Sequence, residues 1–333
     1  MNPSLGWTGI ARLGLVQTAL GAVVVLTTSA MNRVMVVELA LPAIVPGALV
    51  ALHYAVQILR PRFGFGSDIG GRSTPWIVGG MATLGLGTVL VAASIVLMAT
   101  SRLGGIALAT LAYALVGAGV GSCGTSLLAL LAKRVEPSRR PAAATMVWLM
   151  MIAGFVITTI AVGKLLDPYS APRLLALTAG VATLAFALTL IVVQGLEPAA
   201  AASAPVRQID GSHASFLASL AEIWREPEAR RFTIFVFVSM LAYSGQELIL
   251  EPFAGSAFGM TPGQSTQLSG VQHGGVLLGM VLVNLVCAFL RGTWLGSLRT
   301  WTILGCLASA FALLALVVGG WSAPAWPLKA NAF

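Results

Sequence analysis

Charged residues are scarce in this chain: 9% of its 333 residues are Asp, Glu, Lys or Arg, whereas 57% are hydrophobic. A soluble domain carries about a quarter charged residues, so this composition excludes a soluble globular protein and indicates an integral membrane protein. Cysteine is equally rare, because Cys123, Cys287 and Cys306 are the three in the sequence and none forms a CxxC pair. We therefore expect neither a disulfide framework nor a metal site built on cysteine.

The motifs of familiar enzymes are also missing. The sequence has no Walker loop, catalytic triad, metal-spaced His/Cys cluster or haem-attachment motif. Gly119, Gly121 and Gly124 have the spacing G-x-G-x-x-G, but they lie inside an apolar segment. There the pattern favours close packing of helices over dinucleotide binding. The sequence therefore predicts a protein that is not an enzyme.

The basic residues carry information about orientation in the membrane. The net charge is +8, yet Lys and Arg lie in short loops between apolar segments, so nucleic acid is not expected as a partner. If the N-terminus is cytoplasmic, 14 of the 19 basic residues fall on that side, which is the bias that membrane proteins show. The apolar segments predict an all-α membrane protein with nine spans, at about 13–31, 36–58, 76–98, 105–132, 141–163, 173–194, 232–250, 266–290 and 300–320.

The predicted spans fall into two groups. Residues 1–195 form an N-terminal six-helix bundle, and residues 232–320 supply three helices of an incomplete C-terminal half. Between them, residues 196–231 are predicted to form a cytoplasmic linker that contains an amphipathic helix over Ser215–Glu226. Residues 321–333 are a short tail.

The stretch from Ser239 to Met280 breaks the usual rules for membrane helices. Glu247 and Glu251 are four residues apart and share a helix face, although a carboxylate in a hydrocarbon span costs about 3 kcal/mol. Pro252 is predicted to end this helix, and a loop to about Gln264 precedes the next. One alternative is that both carboxylates lie at the water interface, where they cost little. The candidate binding residues of the two helices are Tyr243, Glu247, Glu251, Gln272, His273 and Gly275.

Two connections between the predicted spans carry charged residues. The first, Met31 to Glu38, is expected to be a surface connection in which Arg33 pairs with Glu38. The second has the skeleton G-x-x-x-D-x-x-G-R and resembles the loop between helices 2 and 3 of the major facilitator superfamily, although Ile69 replaces the usual basic residue. It is expected to be a tight cytoplasmic turn with a conformational role, carried by Gly64, Asp68, Gly71 and Arg72.

Longer segments are more distinctive. MNRVMVVEL, GVGSCGTSLLALLAKRV, GKLLDPYS and AYSGQELILEPFAGSAFGMTPGQSTQLSGVQHGGVLLGM resemble the PucC/LhaA family, the bacteriochlorophyll-delivery branch of the major facilitator superfamily in photosynthetic bacteria. The resemblance covers about residues 8–320 and implies a helical bundle like that of the superfamily. It also implies a factor that assembles light-harvesting antenna complexes in the bacterial inner, intracytoplasmic photosynthetic membrane. Its expected partners are antenna polypeptides, bacteriochlorophyll and the reaction-centre core complex.

The same resemblance gives the candidate site a chemical reading. Neutral His273 is a suitable axial ligand for bacteriochlorophyll, and Glu247 would orient the imidazole. Gly274, Gly275 and Gly279 present no side chain and would let a flat macrocycle or a partner helix approach. Alternatively, His273 makes a hydrogen bond between helices and the glycines pack them. Counted from the predicted helix ends, Glu247 lies about 5 Å deep and His273 about 13 Å deep. A secondary transporter and a structural subunit of the photosynthetic complex are the alternative functions.

Overall fold

A computed structural model describes residues 5–69, 72–197, 224–290 and 293–333. Within these ranges nine helices are long and apolar enough to cross a membrane, which confirms the predicted all-α, multi-pass architecture. Most of the predicted linker lies outside the described residues, including residues 215–223 of its amphipathic helix, and so does Gly71. In chain order the helices are α1 Trp7–Thr28, α2 Ala30–Arg33, α3 Ile44–Val56, α4 Arg60–Ile69, α5 Thr74–Met98, α6 Arg102–Arg134, α7 Arg140–Leu165, α8 Ala171–Val193, α9 Pro227–Phe258, α10 Pro262–Phe289, α11 Leu298–Trp321 and α12 Leu328–Ala332.

Glycine lets the first helices pack closely. A side-chain carbon on Gly119 would collide with the backbone of Leu84, and one on Gly80 would lie 2.5 Å from the backbone nitrogen of Cys123. Helices α5 and α6 therefore approach each other nearly backbone to backbone, as the glycine pattern in α6 predicted. The largest cluster of buried apolar side chains lies within α1–α8, and a smaller one joins α9, α10 and α12.

The connection after α1 is helical, so the expectation of a surface loop at Met31–Glu38 was wrong. The chain bends at Ser29, where φ is −98° and ψ is −98°, and continues as α2 and then as a π-helical turn over Val34–Glu38. The expected ion pair is confirmed, with Arg33 Nη1 2.6 Å from Glu38 Oε1. Arg33 is nevertheless 2% exposed, so it is an interior residue and not a surface anchor.

Pro252 does not end its helix, contrary to the prediction. Helix α9 continues through it to Phe258, and α10 begins at Pro262, so the predicted loop shrinks to a tight turn in which Gly259 has φ of +64°. Proline lacks an N–H group and leaves the carbonyl of Leu248, four residues earlier, without its helical donor. The side chain of Asn32 fills this gap with a hydrogen bond of 2.7 Å to Leu248 O. A neighbouring helix thus makes the proline tolerable.

The predicted turn after the second span was also wrong in part. Gly64 and Asp68 lie within helix α4, which runs to Ile69, and Arg72 follows shortly before α5. Glycine propensity alone does not decide the fold here, because a helix tolerates a single glycine for about 1 kcal/mol. The conformational role of this motif stays a prediction.

Helices α9 and α10 form an antiparallel hairpin that packs on the first six spans. Helix α10 lies along α7, and the turn end of the hairpin contacts α2 and the π-helical turn. The remaining faces of α9 and α11 are exposed and apolar, for example at Phe232, Leu241 and Leu314. In a bilayer these faces meet lipid or other apolar partners.

Candidate functional site

The hairpin places the two glutamates opposite polar residues of α10. Glu247 and His273 each lie eleven residues from the turn, counted from Phe258 and from Pro262. At 1.5 Å per residue both are about 16 Å from the turn end, so the predicted 5 Å for Glu247 was wrong. The error follows directly from ending the helix at Pro252. At equal depth the two side chains meet, with His273 Nε2 4.0 Å from Glu247 Oε1.

Glu251 lies one turn nearer the hairpin turn and is completely buried. Ser269 Oγ donates to its Oε1 at 2.5 Å, and Ser29 Oγ donates to the same oxygen. The charged Arg33 also interacts with this carboxylate. Two further hydroxyls, of Ser265 and Thr266, lie 3.4 Å from Oε2. The carboxylate is therefore surrounded by donors from both groups of helices and has no free face for a ligand.

His273 has the opposite character. Its side chain is 0% exposed, yet neither ring nitrogen has a hydrogen-bond partner within the described part of the chain. Its ring stacks at a tilt against Phe155 of α7, with centroids 4.9 Å apart. Glu247 accepts a hydrogen bond of 3.3 Å from Thr28 Oγ1 on α1. The pair thus bridges α1, α7, α9 and α10 at the middle of the bundle.

Tyr243 and Gln272 complete the predicted set on the two helices. Tyr243 is half-buried one turn beyond Glu247 and interacts electrostatically with it and with Tyr54 of α3. Tyr54 in turn interacts with Ser244 of α9. Gln272 is 4% exposed beside His273 in the chain. The structure therefore brings Tyr243, Glu247 and His273 into one polar cluster, with Tyr54 at its membrane-facing edge.

The glycines of α10 differ in their surroundings. A side-chain carbon on Gly275 would collide with the backbone of Phe333, so the chain's own tail covers this position. Gly274 and Gly279 have no heavy atom of another residue within 4 Å of the space where a side chain would begin, among the residues described. Of the three glycines predicted to admit a molecule, Gly274 and Gly279 are therefore open, whereas the prediction was wrong for Gly275.

Helix α10 is seated on α7 through further small residues. A side-chain carbon on Gly163 would collide with the backbone oxygen of Gly263, and one on Gly263 would collide with the backbone oxygen of Gly163. Asp167, just after α7, accepts hydrogen bonds from Thr261 Oγ1 at 2.8 Å and from Gly263 N at 3.3 Å. It therefore caps the N-terminus of α10, where a carboxylate is stabilising.

Several residues of the site were missed by sequence reasoning. They are the polar partners of the two glutamates and of the Leu248 carbonyl inside α9. A signal was present, since the polar residues of α10 recur at helical spacing and mark one face of the helix. The bend at Ser29 brings the end of the first span to the glutamates, and no sequence motif predicts this bend. The missed residues are Thr28, Ser29, Asn32, Ser265, Thr266 and Ser269.

Bacteriochlorophyll does not fit at His273 in this arrangement. An axial ligand must present a ring nitrogen to the metal of a flat macrocycle, which needs open space beside the imidazole. His273 is fully enclosed between Phe155 and Glu247. The donor chemistry is suitable but the space is absent, so we derive no step through a pigment bound to this residue.

A groove on the outer face of the hairpin offers space instead. It has a volume of about 420 Å³ and lies between α9 and α11. Gln246 is the one lining residue with a polar side chain, and Gly245 leaves the floor open. Ligand sites commonly combine apolar walls of this size with very few polar groups. The other lining residues are Leu241, Ala242, Ile249, Leu250, Phe253, Leu313, Leu316 and Val317.

Comparison with known proteins shows which sequences share these features. Residues 30–323 match the family model described as PUCC protein. A relative from Rhodobacter capsulatus named "Bacteriochlorophyll synthase 44.5 kDa chain" is 52% identical over 317 residues, which are 95% of this chain and 72% of that protein. "Protein PucC" of Cereibacter sphaeroides is 29% identical and that of Rhodovulum sulfidophilum 26% identical, each over 83% of this chain. The chain spans 62% and 64% of the lengths of these two proteins.

One of these names corrects the sequence analysis. We predicted that the chain is not an enzyme, whereas the relative that is 52% identical carries the name of a synthase. The prediction was wrong because it rested on the absence of nucleotide, triad and metal motifs. Those motifs describe particular enzyme classes, and their absence from a membrane helix bundle does not exclude catalysis.

Proposed function

Because the chain belongs to the PUCC protein family, we propose that it acts in the biogenesis of bacteriochlorophyll-containing antenna complexes in a photosynthetic membrane. The names of its relatives support this role. One name includes the word bacteriochlorophyll, and other relatives are named PucC and come from photosynthetic bacteria. Within this role the chain holds bacteriochlorophyll in the bilayer while antenna polypeptides receive it.

The groove between α9 and α11 is the observation that carries the proposal. Bacteriochlorophyll has a long hydrocarbon chain, and an apolar groove of about 420 Å³ is suited to part of such a chain. The groove faces the bilayer, so the pigment can enter sideways from lipid without crossing a water layer. Gln246 supplies an amide at its edge for a carbonyl group of the ligand.

The test is the pigment content of the purified protein. We expect bacteriochlorophyll absorption bands and antenna polypeptides to co-purify with the unmodified chain. Gly245 lines the groove, and no heavy atom of another described residue lies within 4 Å of the place where its side chain would begin. Gly245→Leu therefore puts a side chain into the groove and is expected to lower pigment per protein severalfold. Gly180→Leu, on α8, is the matched control because Gly180 is equally open and lies outside the groove. Equal pigment in both variants would contradict the proposal. Antenna peptides without pigment would assign the groove to a polypeptide.

Transport of a small molecule or tetrapyrrole is the second candidate, favoured by a different observation. An interrupted helix faces a helix with an internal proline, since the chain bends at Ser29 after α1 and α9 contains Pro252. Discontinuous helices are typical of the substrate and ion sites of secondary transporters. Substrate-dependent uptake into vesicles by a colourless protein would favour transport, and pigment retention without uptake would favour the assembly role. A formation assay for bacteriochlorophyll belongs with the same preparation, given the name of the synthase relative.

A further inference from the structure

Glu251 and Ser269 form one rung of a ladder between α9 and α10. Their hydrogen bond is 2.5 Å long, and Glu247 and His273 lie one helical turn farther from the hairpin turn on the two helices. In an antiparallel pair, moving back four residues on one helix corresponds to moving forward four on the other. The bond between Glu251 and Ser269 thus sets the same register that places Glu247 against His273.

The rung is also tied to the first group of helices. Ser29, at the bend between α1 and α2, donates to the same oxygen of Glu251 as Ser269 does. Thr28, the residue before it, donates to Glu247. The bend of the first span therefore contacts two successive rungs, and Glu251 is the point where all three helices meet.

We propose that Glu251 is a positioning residue, which holds the α9–α10 hairpin in the register that brings Glu247 beside His273. This role differs from the direct contact with pigment or partner that the sequence analysis assigned to it, since the carboxylate is 0% exposed. The inference is connected to the proposed function at one point: Glu247, which contacts His273, lies on the face of α9 opposite the groove. The register itself is a property of the helices and is measurable without any ligand.

The register is measured by pulsed EPR between spin labels on the two helices. Met240→Cys on α9 and Leu282→Cys on α10 are exposed labelling positions far from the rung, in a chain whose three native cysteines have been replaced. Ser269→Ala removes one of the hydroxyls that donate to Glu251 Oε1 and is expected to add a population with a displaced distance. Ser269→Thr keeps the hydroxyl and is expected to restore the single distance.

Controls separate this inference from the proposed function. Ser256→Ala removes an exposed hydroxyl of α9 that bonds only its own helix among the described residues, and it should leave the distance unchanged. A second variant, Glu251→Leu, removes the acceptor oxygen and should behave as Ser269→Ala does. An unchanged distance in both rung variants would overturn the positioning role, whatever the pigment content. A displaced distance with full pigment content would support the positioning role and show that pigment does not depend on this register.

Discussion

At the scale of single residues, His273 presents the sharpest conflict between burial and polarity. Its two ring nitrogens lie in the interior without a hydrogen-bond partner in the described ranges, while Glu247 is 4.0 Å away. An unsatisfied buried polar group costs about 1–3 kcal/mol. A chain that keeps such a residue for packing alone loses stability without return, so His273 is the strongest candidate for function in the cluster.

This conflict predicts opposite effects on stability and on function. His273→Leu removes the unsatisfied nitrogens, so the thermal midpoint of the purified protein should stay the same or rise. Antenna yield and bound pigment should fall, because the polar junction with Glu247 is lost. Glu247→Gln keeps the acceptor for Thr28 and should have the weaker effect. Thermal unfolding of each variant in detergent measures the midpoint, and absorption spectra of membranes measure pigment and antenna yield. A lower midpoint with unchanged pigment and antenna yield in His273→Leu would assign the residue to packing.

At the scale of helices, the contact between α2 and α9 shows how an interruption in one element is repaired by another. Pro252 deprives Leu248 O of its helical donor, and Asn32 supplies a replacement at 2.7 Å. The next residue, Arg33, donates to Met260 O at 2.6 Å beyond the end of α9. The MNR segment of α2 therefore closes the backbone of the hairpin at two points.

The repair predicts a specific rescue. Asn32→Leu leaves Leu248 O unsatisfied and should destabilise the protein by about 1–3 kcal/mol. Pro252→Ala restores an N–H group for the same carbonyl, so the double variant should lose much less stability from the change at Asn32. A double-mutant cycle of unfolding free energies measures this coupling. Additive losses would mean that Asn32 stabilises the junction by some other contact.

These helices also show which features of the structure could be predicted from the sequence. The nine spans were predictable because each presents about 20 apolar residues, and the polar face shared by Glu247 and Glu251 follows from helical spacing. The end of α9 was not, because proline stops a helix unless a distant side chain serves the freed carbonyl, and Asn32 is 216 residues away from Leu248. The bend at Ser29 was hidden for a similar reason. Its conformation is held by contacts with α9 and α10, and local propensity does not report them.

At the scale of the whole molecule, hydrogen bonds fix which loops share an end of the bundle. Leu5 N donates to Arg134 O, so the start of α1 and the end of α6 lie together. Arg102 reaches Leu39 O, and Arg33 reaches Met260 O, so these loops lie at the opposite end. The predicted cytoplasmic N-terminus therefore assigns every described loop to a side, and a single error would reverse them all together.

Accessibility of engineered cysteines tests this orientation. Ser138→Cys follows α6, at the same end of the bundle as the N-terminus. Thr100→Cys lies in the turn between α5 and α6, at the other end of the bundle. Both positions are exposed. The excess of basic residues, 14 of 19, predicts that Ser138 lies in the cytoplasm, since Lys and Arg are retained there during insertion. A membrane-impermeant thiol reagent should thus label Ser138→Cys in inverted vesicles and Thr100→Cys in right-side-out vesicles. Labelling in the reverse pattern would place the connection between α9 and α10 on the cytoplasmic side, together with Arg33 and Asp167.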